Sequence, residues 1–309
     1  MKLNLHLTRI FFTVVRENSF SKAAKVLFVS QPAVSKAVRE LESQLGLDLL
    51  ERTMGGQSKT GRLRLTDSGR ALYARAHEIF ALEQLAINDL EEHLSASQGR
   101  LTIGASTTVA SYWLPPLLAR YREGHEEVAL RVVVGNTESI CHDLKEYRLD
   151  LAIIEGTTED PLILAKDVLT EKLNLIAPVR FQLSPNQHDA MTQLNDAVWL
   201  VRERGSGTRT VTESLLRAND IVPSKIIEFG SSEGIARAVS HGLGISMLPN
   251  VVTNELAELG RVKVMAPAFL PEFQRKLKLL TRVNSTLSPV AEVFASQIIS
   301  ALPERQSAS

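Results

Sequence analysis

Near residue 100 the apolar residues of this chain stop recurring at three- and four-residue steps and begin to alternate. No other feature constrains the fold as much. Before the break, Leu3, Leu7, Ile10, Phe11, Val14 and Val15 share one helical face. After it, 101–104, 130–134, 149–154 and 173–176 read as strands, with helical stretches over 112–123 and 137–147. The alternation resumes with strands over 197–201, 226–229 and 245–248 and helices over 210–218 and 232–241. A strand over 276–282 and a helix over 287–301 follow. Alternating units of this kind predict a mainly parallel sheet flanked by helices. At 309 residues there is room for a second, all-helical body in front of it.

That front body has a short second helix over 20–27, capped by Asn18-Ser19, with small residues Ala23 and Ala24 in its middle. Val29-Ser30 breaks it. Ser30 then caps a third helix with Gln31 and Pro32 in its first turn, where proline's missing N–H is no loss. In this helix Val34, Val38, Leu41 and Leu45 point inward, Gln31, Ser35, Lys36 and Arg39 point outward, and Gly46 ends it. Two helices joined by a tight turn, the second presenting donors long enough for base edges and phosphates, form a helix-turn-helix. Ser21, Lys22, Ser30 and Pro32 join the outward four as candidate DNA contacts. The segment 52–65 is rich in Gly, Lys and Arg and reads as a hairpin wing with a basic tip, adding Arg52, Lys59 and Arg62. Charge agrees. Residues 1–65 hold 11 Lys+Arg against 5 Asp+Glu, a net of +6, while the whole chain is neutral, so a basic head precedes an acidic body of net −6.

The run SFSKAAKVLFVSQPAVSKAVRELESQLGLDLLER (19–52) and the exit LTDSG (65–69) resemble the DNA-binding domain of the LysR-type transcriptional regulators across residues 3–70. Leu50 stands where that family usually has Phe. The 52–65 interval is several residues longer than usual, so wing contacts do not transfer residue by residue. Thr66 caps a long helix in which Leu72, Ala76, Ile79, Ala86, Leu90 and Leu94 approximate a heptad seam interrupted by Glu83. The seam suggests pairing with another chain, and 95–99 then marks a hinge. The resemblance implies a winged helix-turn-helix over 1–65, a dimerising linker helix over 66–96, and a two-lobed α/β effector domain over 97–309 of the type II periplasmic-binding-protein kind. Lobe one is expected at 100–170 and 275–305 and lobe two at 171–274. It further implies a pseudo-palindromic double-stranded DNA site, a homodimer assembling into a tetramer, and RNA polymerase as an additional partner open to it.

In such folds ligands sit beyond the carboxyl ends of strands, against helix N-termini. Four segments combine Gly with hydroxyls at a helix start: 103–108, 134–138, 229–233 and the loop VRERGSGTR (201–209). Free amides and the helix dipole make such starts anion sites, and Arg202 and Arg209 can fork onto an oxyanion. Each segment alone can equally be a helix cap. The effector candidates are Ser106, Thr107, Thr108, Thr137, Glu138, Arg202, Ser206, Gly207, Thr208, Arg209, Ser231 and Ser232. The combination GASTT…LPPLL, GNTESI, DLAIIEG, RERGSGTR and GLGISMLP is similar to a subgroup of the family that responds to small oxyanions or carboxylates, sulfite in particular. Glu155-Gly156 reads as hinge or cleft wall rather than acid catalyst.

The rival class, an anion-substrate enzyme on the same two-lobed fold, should leave other marks. VRERGSGTR lacks the lysine of a phosphate-transfer loop, the seven histidines have no metal-ligand spacing, and there is no G-x-S-x-G elbow. A nonspecific structural DNA binder would not need a cleft. No cofactor, metal or catalytic residue is therefore expected. The single cysteine, Cys141, fits a reducing compartment and reads as a buried apolar residue. With no secretory signal read at its start and no run of about 18 apolar residues, the expected location is cytoplasmic.

Overall fold

The computed structural model describes residues 3–51, 63–94, 99–283 and 285–306 and divides into two compact units, 1–94 and 95–309. In the first, α1 (Leu5–Arg16), α2 (Phe20–Val26) and α3 (Gln31–Leu45) each begin on a side-chain cap. Asn4 accepts from His6 and Leu7 N–H, Ser19 from Lys22, and Ser30 from Ala33. Gly46, at φ +67°, closes α3 in the left-handed conformation that glycine adopts without strain. The inward faces meet in a core of Phe11, Val14, Val34, Val38, Leu41 and Leu49. Glu42 Oε1 accepts from Leu49 and Leu50 N–H (2.8 and 3.1 Å), fixing the exit of α3 where Leu50 bridges Leu65. The wing tip expected over 52–62, with Arg52, Lys59 and Arg62, lies outside the described residues, as does the 95–98 part of the hinge.

Helix α4 (Asp67–Leu94) starts at Thr66, whose Oγ1 accepts from Gly69 N–H (3.0 Å). The heptad expectation divides along it. Ala76, assigned to the inter-chain seam, is instead buried in its own unit with Phe80 against Phe12, because α1 lies on the first turns of α4. Further along, the seam residues Ala86 and Leu90 are exposed, as are Leu82 and Ile87 outside the seam. Leu94's side chain lies outside the described residues.

The second unit runs β1 (Arg100–Ser106), a π-turn (Val109–Trp113), α5 (Leu114–Gly124), β2 (Ala129–Gly135), α6 (Thr137–Lys145), β3 (Leu151–Glu155), β4 (Ile163–Pro178) and α7 (Gln187–Asp196). It continues with β5 (Val198–Arg202), α8 (Gly207–Ala218), β6 (Lys225–Phe229), α9 (Ser232–Ser240), β7 (Ser246–Pro249), α10 (Asn250–Glu258), β8 (Val262–Met265), β9 (Phe273–Arg282) and α11 (Pro289–Gln306). The main sheet has the order β2-β1-β3-β9-β4-β7, with β8 also on β4, and β5 pairs β6. The expectation of a mainly parallel sheet is corrected. β1 runs parallel to β2 and β3, and β5 to β6, but β9 is antiparallel to β3 and β4, and β4 to β7 and β8. The cause is one long antiparallel pair, β4 with β9, shared by two lobes. Val168, Leu169, Leu277 and Leu279 belong to the apolar core around β1 and α11, whereas Leu173, Leu175 and Phe273 belong to that around Trp199. The α7, α10 and β8 elements were not expected, nor was the first half of β4. There Lys166 and Asp167 interrupt the apolar pattern, and Asp167 pairs with Lys276 and Lys278 of β9.

Candidate functional site

On the helix-turn-helix, Ser21, Lys22, Ser30, Gln31, Pro32, Lys36 and Arg39 are exposed and Ser35 is half-buried. Gln31 Nε2 donates to Ser35 Oγ (2.9 Å) one turn away. The exposed donors Ser21, Lys22, Ser30, Gln31, Lys36 and Arg39 are suited to phosphates and base edges.

In the second unit the four helix starts converge, and each is used differently. At α6, Asn136 caps Ser139 N–H, Glu138 N–H donates to Gly205 O (3.1 Å), and Thr137 Oγ1 donates to Glu155 O (3.1 Å) while accepting from Gly207 N–H (3.1 Å). Thr137 and Glu138 thus clamp the two lobes together. The fit is close: a Cβ on Gly207 would lie 2.0 Å from Glu155 O and 2.7 Å from Thr137 Oγ1. Beside this contact a cavity of about 740 Å³ is lined by Thr137, His142, Lys145, Thr158 and Thr210, with Lys145 held by Asp160 (2.6 Å). Cys141, also in its wall, is buried, and that burial pushes its thiol up despite the Thr158 hydrogen bond.

At α9, Ser231 caps Gly234 N–H (2.9 Å), and Ser232 Oγ accepts from Arg202 Nη1 (3.1 Å) and lies 3.5 Å from Thr108 Oγ1. Arg202 is 2% exposed and its other edge lies on the Glu203 carboxylate (2.7 and 2.8 Å). Arg209 donates to Glu213 (2.7 Å), Glu228 (2.5 Å) and Arg202 O (3.1 Å). Both arginines, expected to fork onto an oxyanion, are already engaged by adjacent carboxylates.

The other two starts differ. Ser206 occupies the cap position of α8 without making the cap hydrogen bond, is 1% exposed, and its Oγ has no partner among the described residues. Thr107 Oγ1, at the end of β1, is likewise buried and unpartnered among them. It precedes the π-turn, an irregularity frequent at functional sites. Their neighbours Ser106 and Thr208 meet on one carboxylate. Ser106 Oγ donates to Glu155 Oε2, and Thr208 Oγ1 donates to Glu155 Oε1 (3.0 Å) and accepts from Arg275 Nη1 (2.7 Å). Gly207, next to Thr208 in the chain, packs backbone to backbone against Glu155 and Gly156.

Behind this junction lies a group of charges that the sequence pattern did not single out. Glu171 and Arg275 are directly paired across β4 and β9, at the point where one lobe's core gives way to the other's. Arg275 Nε donates to Glu171 Oε2 (2.6 Å), and Trp113 Nε1 donates to Glu171 Oε1 (3.1 Å). Glu155, Glu171 and Arg275 are 1%, 4% and 2% exposed. Burial pushes the Glu171 carboxyl above the ordinary range, against the pull of Arg275 and Trp113, and the nearby Glu155 charge pushes the same way. Strand alternation could have found the pair, because Leu169-Glu171-Leu173 and Phe273-Arg275-Leu277 each place a charge in an apolar row. A second inter-lobe contact was also missed: Tyr112 of the π-turn packs on the apolar cluster that includes Ile235 of α9, and burial and the nearby Glu233 charge both raise its phenol.

Comparison with known proteins accords with this architecture. The lysR-family bacterial regulatory helix-turn-helix model matches residues 5–70, and the LysR substrate binding domain model matches 95–303. The transcriptional regulator CysL of Bacillus subtilis (strain 168) is 32% identical over 79% of this chain and 80% of its own. The uncharacterized regulator YeiE of Escherichia coli (strain K12) is 34% identical over 90% of each. A full-length OxyR variant from Pseudomonas aeruginosa shares the fold at 24% identity, with a TM-score of 0.61 over 96% of this chain and 95% of that one. The regulatory domain of Synechocystis CcmR, solved in complex with 2-PG, is 25% identical, with a TM-score of 0.58 over 66% of this chain and 98% of that one. The chain belongs to the LysR family: it is a transcriptional regulator with a DNA-binding helix-turn-helix and a two-lobed effector-binding domain, and not an enzyme.

Proposed function

We propose that the cleft between the lobes binds a small oxyanion or carboxylate, sulfite being the first candidate, and that its occupancy alters promoter binding. One observation carries this reading: among the described residues neither the buried Ser206 Oγ at the start of α8 nor the buried Thr107 Oγ1 after β1 has a hydrogen-bond partner. A buried hydroxyl without a partner is unfavourable by about 1–3 kcal/mol, so two of them flanking helix N-termini point to a ligand that would satisfy both. The CcmR complex with 2-PG supports an effector in this domain.

The lobes of this reading are 100–170 with 275–305, and 171–274. The head, 1–65, binds a pseudo-palindromic duplex, and α4 carries dimerisation through exposed Leu82, Ile87 and Leu90. Dimers pair into a tetramer in the cytoplasm, and RNA polymerase is a partner at the promoter. The deciding experiment is a thermal-shift screen of oxyanions and carboxylates, sulfite and sulfate included, on the full chain and on Ser206→Ala. Stabilisation by one anion class that the variant loses is the expected result. A flat response to all of them overturns the reading.

A further inference from the structure

The hydroxyl protons around the cleft are already allotted, and the allotment bears on which anion fits. A carboxylate only accepts, so Ser106 and Thr208 must both donate to Glu155. Thr208 also accepts from Arg275, which leaves its oxygen nearly saturated. Ser106 has no second proton to give, so any further partner of its oxygen has to be a donor. Donors for a ligand remain at Thr107 Oγ1, at Ser206 Oγ and at the amides of the first turn of α8 after Gly207, whose own N–H is given to Thr137. On one side, therefore, the site offers donors. On the other it offers an acceptor backed by a buried negative charge, Glu155, whose nearest cation, Arg275, it shares with Glu171.

We propose, resting on the anion reading above, that Glu155 makes the cleft selective for anions that carry an O–H of their own, such as a hydrogen oxyanion or a 2-hydroxycarboxylate. The proton on such a ligand is donated to Ser106 Oγ, completing a chain from ligand through Ser106 to Glu155. A fully deprotonated anion of the same shape sets a lone pair against the Ser106 lone pairs and brings its charge toward Glu155 with no proton between the ligand and Ser106. An analogue without the matching proton leaves a buried polar atom unpaired, and that is the circumstance in which a site discriminates most strongly.

Hydrogen phosphate and sulfate test this cleanly at mildly alkaline pH, since both are tetrahedral dianions there and differ by one proton. Glycolate and acetate form a second pair. Titration calorimetry on the full chain should give at least about tenfold tighter binding to the protonated member of a pair. In Glu155→Gln the amide donates to one of the two hydroxyl oxygens and accepts from the other, releasing one hydroxyl proton toward the ligand, so the ratio should fall toward one or invert. Ser106→Ala should narrow it by weakening hydrogen phosphate or glycolate binding, and keeps the test open if Glu155→Gln folds poorly. Equal affinity within a pair in the unmodified protein, or a ratio unmoved by both substitutions, overturns the selectivity while leaving the anion cleft standing. Absence of binding by all four anions overturns both.

Discussion

Replacing Arg275 with methionine removes the guanidinium that lies between two buried carboxylates and substitutes an apolar side chain of similar reach. In the intact protein Arg275 Nε donates to Glu171 (2.6 Å), Nη1 donates to Thr208 (2.7 Å), and Nη1 lies 3.9 Å from Glu155. Breaking a buried ion pair from one side costs about 3–5 kcal/mol, because the remaining charge has neither water nor a counter-ion. For a body the size of residues 95–309 that corresponds to a fall in Tm of roughly 6–20 °C. Both tryptophans, Trp113 and Trp199, lie in this unit, so their fluorescence follows its unfolding in the full chain. The pH dependence separates this cause from simple loss of packing. Glu171 already has a raised carboxyl in the folded state, so across the window above its ordinary value the folded state binds the proton more tightly than the unfolded state. Stability from this group is present at low pH and is lost as pH rises through the raised value. Without Arg275 the window extends further upward, so the deficit against the unmodified protein should be largest at about pH 8 and shrink toward about pH 5. Carboxylates held low in both proteins, such as Asp160 and Asp167, cancel in the difference. A deficit below about 1 kcal/mol, or one independent of pH, would refute the account of this junction as a charge-compensated buried cluster.

Phe28 sits in the left-handed region (φ +55°) just past the end of α2 and is 95% exposed, so Phe28→Gly should relieve strain without loss of burial. A gain of about 0.5–1 kcal/mol in the head is expected, part of the relief being offset by a freer unfolded chain. Circular dichroism melting checks it, and a loss of stability would contradict the strain argument. Gly207→Ala places a Cβ 2.0 Å from Glu155 O and should part the clamp between α6 and α8. The expected outcome is a lower Tm for the second unit and loss of any effector response, with DNA binding retained by fluorescence anisotropy. An unchanged effector response would show that the clamp is irrelevant to sensing. On the head, Gln31→Ala and Arg39→Ala should each reduce discrimination between operator and random duplex by about 1–3 kcal/mol for every base the side chain reads. Retained specificity in both would move base readout elsewhere.

The sequence disclosed local structure well where one short-range rule acted alone. Ser19, Ser30, Asn136 and Ser231 cap helices, as hydroxyl and amide side chains at such positions do, and Gly46 ends one. What it hid depended on residues far apart in the chain. The first half of β4 was missed because Lys166 and Asp167 break its alternation, and their place in a strand is set by β9 more than a hundred residues later. Glu171 and Arg275 each stand out as a charge in an apolar row, but their pairing depends on the same β4–β9 contact between distant parts of the chain. Ala76 was assigned to an inter-chain seam because a heptad does not reveal that α1 reaches the helix first.

The loop VRERGSGTR shows how charge read from sequence and charge felt by a ligand can differ. Three arginines in nine residues suggest a strongly cationic cradle, yet Arg202 is matched by Glu203, and Arg209 by Glu213 and Glu228. An anion entering between Thr107 and Ser206 would therefore be held by hydroxyls, amides and two helix ends rather than by a bare guanidinium. Two hydrogen bonds to a charged group contribute about 3–6 kcal/mol and two helix dipoles about 1–2, before the entropic cost of association. That gross total corresponds to a Kd no tighter than about micromolar. An affinity in that range suits a sensor, whose ligand must leave when its concentration falls. It also makes the ligand's contribution comparable to the lobe contacts at Thr137–Gly207 and between Tyr112 and α9, so an anion of this class could shift the equilibrium between lobe arrangements that those contacts set.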